Sequence, residues 1–264
     1  MLKIYQTLLR TELAVMLQYR AAMLIWLIGL MLQPVISLGV WITVARSRDG
    51  RVGDFDEPAL AAYYIVFMVV NHITFDWHMH EMGWRVRSGS FSPLLMQPLH
   101  PIHRDLTRNM AYKLLTLAVV APAAAALAWY FEPAFGTQSW ALAAFVPAII
   151  LAYLMRFAIE WAVALLAFWV TDTSGLNNLY YVTGMFLTGK VAPLALMPEW
   201  VQLAATILPF RWMVAFPVEL LLGRVSQAEA MTGLAAQAIW LALALGILSL
   251  CWKRAVRSYS AVGA

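Results

Sequence analysis

The sequence predicts an all-α membrane protein with six transmembrane helices, an N-terminal amphipathic surface helix, and short re-entrant external helices between spans five and six. Three observations carry that expectation. Only 12% of the 264 residues are charged, 62% are hydrophobic and the mean hydropathy is +0.72, whereas soluble domains hold about 25% charged residues. Several apolar runs approach or exceed the ~20 residues that a helix needs to cross the hydrocarbon core. The stretch 184–223 holds prolines at 193, 198, 209 and 217 inside apolar sequence. Proline lacks a backbone donor and blocks regular helix continuation, so this stretch predicts short broken helices dipping into the membrane. One membrane domain accounts for nearly the whole chain and leaves no room for a soluble catalytic domain.

Residues 1–20 form the first unit. Leu2, Tyr5, Leu9, Leu13 and Met16 recur at helical spacing, with Lys3, Arg10 and Gln18 elsewhere on the wheel, which predicts a helix over 2–18 lying on the membrane surface. Glu12 and Arg20 interrupt the apolar run, and no small-residue cleavage site follows, so a signal peptide is not expected. The membrane domain, 21–264, follows with spans at about 22–44 (kinked by Pro34), 58–79, 110–131, 140–170, 178–197 and 230–252. The fourth is longer than a bilayer needs and must tilt or project. Between the spans lie a charged loop ending at Pro58, a long polar segment over 80–109, a turn over 171–177, and the external segment 189–227.

Lys and Arg set the orientation. With a cytoplasmic N-terminus, the inner segments hold Lys3, Arg10, Arg20, Arg85, Arg87, Arg104, Arg108, Lys113, Lys253, Arg254 and Arg257. The outer segments hold Arg46, Arg48, Arg51, Lys190, Arg211 and Arg224, while Arg156 lies within a span. This bias predicts both termini inside and 189–227 outside.

Candidate chemistry is sparse. Residues 184–191 read G-x-x-x-x-G-K-V, one residue short of the phosphate-binding loop pattern; Val191 stands where Ser or Thr would hold Mg²⁺, so no nucleotide site is expected. His72, Asp76 and His80 fall at i, i+4 and i+8 beside Glu81, a spacing that could gather metal ligands on one helix face or simply polar groups at a span end. The pair His100 and His103 is flanked by prolines and adds no clear support. Arg156 and Glu160 are oppositely charged at i, i+4 deep in a span, where they can neutralise each other. They serve either as a polar contact on the bundle interior or as a structural tie. Met185, Phe186, Tyr64 and Phe67 could line a path or face lipid. Among the 12 tryptophans, Trp26, Trp41, Trp140, Trp169, Trp200, Trp240 and Trp252 lie towards span ends, as interfacial anchors would. The lone Cys251 excludes an intrachain disulfide. No catalytic set is present, and no basic-aromatic patch suggests nucleic acid.

The run over 81–102, EMGWRVRSGSFSPLLMQPLHPI, resembles the cytoplasmic loop of ABC-2-type transporter permeases, the membrane subunits of ABC exporters. The matching residues are Arg87, Gly89, Phe91, Leu94, Leu95 and Pro98, with Arg85 just before them. The stretch over 189–223 resembles the last external segment of the same family through Gly189, Pro193, Leu194, Pro198, Trp200, Leu208, Pro209, Phe210, Pro217 and Gly223. Phe168 and Trp169 fit one branch of it. The resemblance implies a permease pairing with an identical or sister permease and with two copies of a separate ABC ATPase, in a bacterial cytoplasmic membrane. ATP and Mg would stay on that partner, and this chain would hold no cofactor. The surface helix and the segment 80–109 would couple to the ATPase; Arg156, Glu160, Met185, Phe186, Pro193, Pro198, Pro209, Phe210 and Pro217 would belong to the path or its lid. Lys190 and Arg211 would favour anionic cargo if they face the path. A membrane-integral assembly or binding subunit, or an ion-coupled metal or small-solute carrier, is the alternative.

Overall fold

The computed structural model describes residues 2–259, so Met1 and positions 260–264 of the C-terminal tail lie outside the described residues. Twelve α-helices make up nearly everything else: α1 (Leu2–Gln18), α2 (Arg20–Arg46), α3 (Glu57–Thr74), α4 (His78–Arg87), α5 (Ser92–Leu95), α6 (Pro101–Phe131), α7 (Ser139–Ala164), α8 (Ser174–Leu187), α9 (Glu199–Ile207), α10 (Phe210–Met213), α11 (Ala215–Leu221) and α12 (Gln227–Ser258). Short 3-10 turns at Leu165–Phe168 and Leu194–Leu196 extend α7 and precede α9. The charged loop folds into a two-residue antiparallel hairpin, β1 (Arg51–Val52) and β2 (Phe55–Asp56). Asp56 then caps α3 by accepting from the Ala59 N–H at 2.9 Å.

Five helical segments are long and apolar enough to cross a membrane: Arg20–Arg46, Glu57–Arg87, Pro101–Phe131, Ser139–Phe168 and Gln227–Ser258. The span predicted at 178–197 is not one helix. α8 has 14 residues, which rise about 21 Å at 1.5 Å each, short of the ~30 Å hydrocarbon core. Gly189 in the left-handed region (φ +78°) then turns the chain out of it.

Two other boundaries differ from the sequence expectation. The second span breaks after Thr74 and resumes as α4 at His78. The long polar segment 80–109 is mostly helix: α4 fills its start, and α6 begins at Pro101 rather than near 110. Charged residues disguised both ends, because the helices run on past the apolar window. The loop proper is 88–100.

α3 is the centre of the molecule. Leu60, Ala61, Ala62, Tyr63, Tyr64, Phe67 and Val70 are all nearly fully buried, packed by α2, α6, α7 and α11. A helix apolar on every side must be enclosed. α7 and α12 lie against each other on a stripe of small residues, Ala141, Ala148 and Ala152 facing Ala230, Gly233 and Ala244. Small side chains let two backbones approach where lipid gives helices no hydrophobic reason to associate. Gly233 makes α12's close approach to α11: a Cβ there would lie 2.2 Å from the Phe216 ring.

The predicted helix over 2–18 is present as α1. Tyr5, Leu8, Leu9, Glu12, Leu13 and Met16 turn towards α6, while Leu2, Ile4, Val15 and Leu17 face outward. Tyr5 meets His103 (Oη to Nδ1, 2.5 Å) and Glu12 meets Arg104 at 3.5 Å, so α1 is tied to the base of α6.

Candidate functional site: a polar-walled cleft, a proline-broken segment and the 88–100 turn

A cleft of about 990 Å³ runs along the interior between α1 and α2 on one side and α3, α4, α7, α8 and α10 on the other. Its walls are mainly apolar and aromatic. Its polar wall is built where α3 breaks. The break at 75–77 leaves the Phe75 carbonyl without a helical partner, and α6 supplies two donors, Lys113 Nζ and Asn109 Nδ2 (3.3 Å). A break inside a membrane is tolerated only when neighbours satisfy the freed backbone in this way.

From the break, buried polar groups continue in both directions. Towards the membrane interior, Arg156 donates to Glu160 through Nε (2.8 Å) and to Asn71 (3.0 Å) and Thr74 (3.1 Å) through Nη1. Tyr180 on α8 donates to the same Glu160 oxygen at 3.3 Å. The predicted i, i+4 pair therefore forms, and it ties α7 to α3 and α8. Towards the base, Asp76 Oδ1 takes the Asn109 amide (2.9 Å) and His78 Nδ1 (2.5 Å). The other face of His78 meets Asp105 at 3.6 Å. Asp105 is held by Arg85 (2.8 Å) and by Trp161 Nε1 (3.0 Å), and Glu81 bridges Arg85 and Arg108 at 2.8 Å each.

This geometry removes the premise of the His72, Asp76 and His80 cluster. The helix ends between His72 and Asp76, Asp76 sits in the break and His80 lies on α4; His72 bonds Thr116 at 3.0 Å, and His80 is exposed. Among the described residues, no group of three or more His, Cys, Asp or Glu side chains could hold a metal ion.

The proline-broken stretch closes the opposite end of the cleft. Tyr63 donates to the Gly189 carbonyl (2.9 Å), and Tyr64 (2.9 Å) and Trp41 Nε1 (2.8 Å) both donate to the Val191 carbonyl. Tyr64 and Phe67 are thereby committed to the core and neither line the cleft nor face lipid. Pro198 and Pro209 start α9 and α10, Pro193 is buried before its 3-10 turn, and Pro217 is buried within α11. Phe210 and Met185 line the cleft, whereas Phe186 is not part of its wall. Gly189-Lys190 follows the carbonyl end of α8, the negative end of its dipole, whereas a phosphate loop leads into a helix N-terminus. Arg211 pairs with Glu219 at 2.9 Å, and Lys190 bonds Tyr181 at 3.1 Å with its ammonium 4.8 Å from that ring.

At the base, Gly89 (φ +69°) ends α4 and Pro93 starts the single turn α5. Phe91 is fully buried among Phe168, Trp252 and Tyr259, and Ser92 bonds the Tyr259 hydroxyl at 2.7 Å. Trp252 is thus an intramolecular anchor, packed at a tilt also against His100 with centroids 4.1 Å apart. Of the residues expected to couple outward, Arg85 and Phe91 face inward, Leu94 and Leu95 are half-buried, and Arg87 bonds the Thr171 carbonyl at 2.7 Å. Pro98 and its neighbours are exposed, Met96 to 87% and, beside the turn, Trp84 to 62%. Sequence reasoning missed Met96 and Trp84, although large apolar residues in a charged segment were the available signal.

The model for the ABC-2 family transporter protein matches residues 30–263. The chain belongs to the ABC-2 transporter family. No curated protein and no solved structure matches it. Membership makes this permease a multi-pass component of membrane transport rather than a catalytic domain, in a family that associates with an ABC ATPase.

Proposed function

We propose that this permease is the membrane half of an ATP-driven exporter, with the cleft forming one side of the translocation path. The carrying observation is the placement of that cleft: its lining runs from Glu12 and Glu81 at the α1–α4 end to Lys190 and Phe210 beneath the proline-broken segment. A second, identical or sister permease completes the path on the open side, next to the exposed apolar faces of α2 and α8. The proline-broken segment is its external lid, and α8 with that segment constitutes the sixth membrane passage. Both termini are cytoplasmic in a bacterial inner membrane, as the Lys and Arg distribution supports.

Two copies of a separate ATPase, carrying the ATP and Mg, dock at the 88–100 turn and along α1. The exposed Met96 and Trp84 make that contact, and Phe91 and Arg85 anchor the turn so that motion reaches the core. Phe91 does so through α12 and the end of α7; Arg85 does so through Asp105 and Trp161. The test is co-purification of the ATPase with the permease. Met96→Asp together with Trp84→Asp should lower ATPase recovery at least tenfold while the permease still purifies as a folded chain. Undiminished recovery, or a purified complex that moves cargo down an ion gradient with no ATPase present, would overturn the reading.

A further inference from the structure

Four carboxylates line the cleft, Glu12, Asp76, Glu81 and Glu160, and the two least exposed, Asp76 and Glu160, accept hydrogen bonds on one oxygen only. Glu160 Oε1 accepts from Arg156 and from Tyr180, and among the described residues no hydrogen bond reaches Oε2. Asp76 Oδ1 accepts from His78 and from Asn109, while Oδ2, buried on a residue only 3% exposed, has no partner. The hydrogen bonds of the neighbouring cations go to other atoms. Arg156 directs its bonds to Glu160, Asn71 and Thr74, and Lys113 donates to the Phe75 carbonyl with its ammonium 5.2 Å from the Tyr153 ring. Aromatic rings flank the same wall, with Phe75 and Trp77 beside Asp76, and Tyr180 packed at a tilt on Phe210 (centroids 5.3 Å apart) beside Glu160. Orphaned buried acceptors call for a donor, and ring faces attract positive charge.

We infer that the cleft binds an organic cation with an apolar, aromatic-sized body, its charge against Asp76 and Glu160 and its body against the rings. The inference deepens the exporter reading by naming the cargo class, and it rests on that reading only for transport, since binding needs no ATPase. The volume suits it: specific pockets for drug-sized ligands enclose roughly 300–1,000 Å³, with apolar walls and a few placed polar groups.

Tetraphenylphosphonium and tetraphenylborate are nearly the same shape and opposite in charge, and they form the test pair. Binding to the purified permease in nanodiscs is read by quenching of tryptophan fluorescence, with Trp26 and Trp77 in the cleft lining as reporters. The cation should bind at least tenfold more tightly than the anion after subtraction of empty-disc partitioning. Asp76→Asn, which keeps the side-chain shape, should weaken the cation about tenfold and leave the anion unchanged. Met185→Trp, which fills the cleft without touching the polar groups, should exclude both ions and keeps the idea testable if Asp76→Asn fails to fold. Equal affinity for the two ions, or cation binding indifferent to both substitutions, would overturn the inference. If that happened while the ATPase still co-purified, the exporter reading would stand and only the cargo class would fall.

Discussion

Replacing Gly189 by Ala should be among the most damaging single-methyl changes in this permease. The backbone there has φ +78°, and a left-handed conformation costs a non-glycine residue about 1–2 kcal/mol. The added Cβ would lie 2.2 Å from the Tyr63 hydroxyl, so that hydroxyl must leave the Gly189 carbonyl. Stranding both groups in a buried site costs about 1–3 kcal/mol more, for a total of about 2–5 kcal/mol. The Tyr63 ring carbon that bears the hydroxyl is 3.6 Å from the same Cβ, an ordinary contact, so Phe at 63 would accommodate alanine. Unfolding midpoints in mixed micelles for Gly189→Ala, Tyr63→Phe and the double variant form a cycle. The double variant should fall short of the summed single losses by about 1–3 kcal/mol, because both single changes destroy the same hydrogen bond. Additive losses, or a neutral Gly189→Ala, would refute the idea that this hydroxyl holds the lid segment to α3.

Arg156→Ala leaves Glu160 buried without its guanidinium and should cost about 3–5 kcal/mol, whereas Arg156→Met with Glu160→Met should recover most of that in the same unfolding assay. Gly233→Ala forces Phe216 aside and should cost about 1–3 kcal/mol, with Phe216→Leu in the same chain restoring the midpoint. His100 caps α6 by accepting the Ile102 N–H at 3.2 Å, and burial, with help from His103, lowers its pKa from 6.5. A folded-state pKa below the unfolded one means stability is full above about pH 6.5 and declines as pH drops beneath it. His100→Asn, which caps without titrating, should flatten that part of a stability profile measured from pH 7.5 to 5; an unchanged profile would assign the acid loss elsewhere.

The membrane class, α1, the turn at Gly89 and Pro93, and the Arg156–Glu160 pair were all legible in the sequence. Each depends on composition or on neighbours within one helix. What was not legible depends on contacts between helices. Asn71, Thr74 and Tyr180 look like scattered polar residues until α7 and α8 place Arg156 and Glu160 beside them. Asp76 and His78 read as members of a continuous helical face because the break at 75–77 contains no proline or glycine to announce it. Lys113 was counted as a loop cation that orients the chain, yet α6 carries it to the Phe75 carbonyl. The helix in the span expected at 178–197, counted into the broken stretch, stops at Leu187 for a related reason: hydropathy cannot see Gly189 turning the chain.

The elbow between α3 and α4 divides the permease mechanically. Both donors to the Phe75 carbonyl come from α6, so sliding α6 along the elbow would strand a peptide oxygen in a dry interior at a cost of about 2–7 kcal/mol. Arg156 adds α7 to the same knot through Asn71 and Thr74. Buried hydrogen bonds therefore join α3, α6 and α7 at the elbow into one block with α4, and the 88–100 turn follows directly from α4. α2 meets that block through apolar side chains and the Arg46–Glu57 ion pair at the loop end, and its Trp41 indole bonds the Val191 carbonyl beyond α8. The cleft lies between α2 and these knotted helices, so it has an apolar seam on one side and a fixed polar wall on the other.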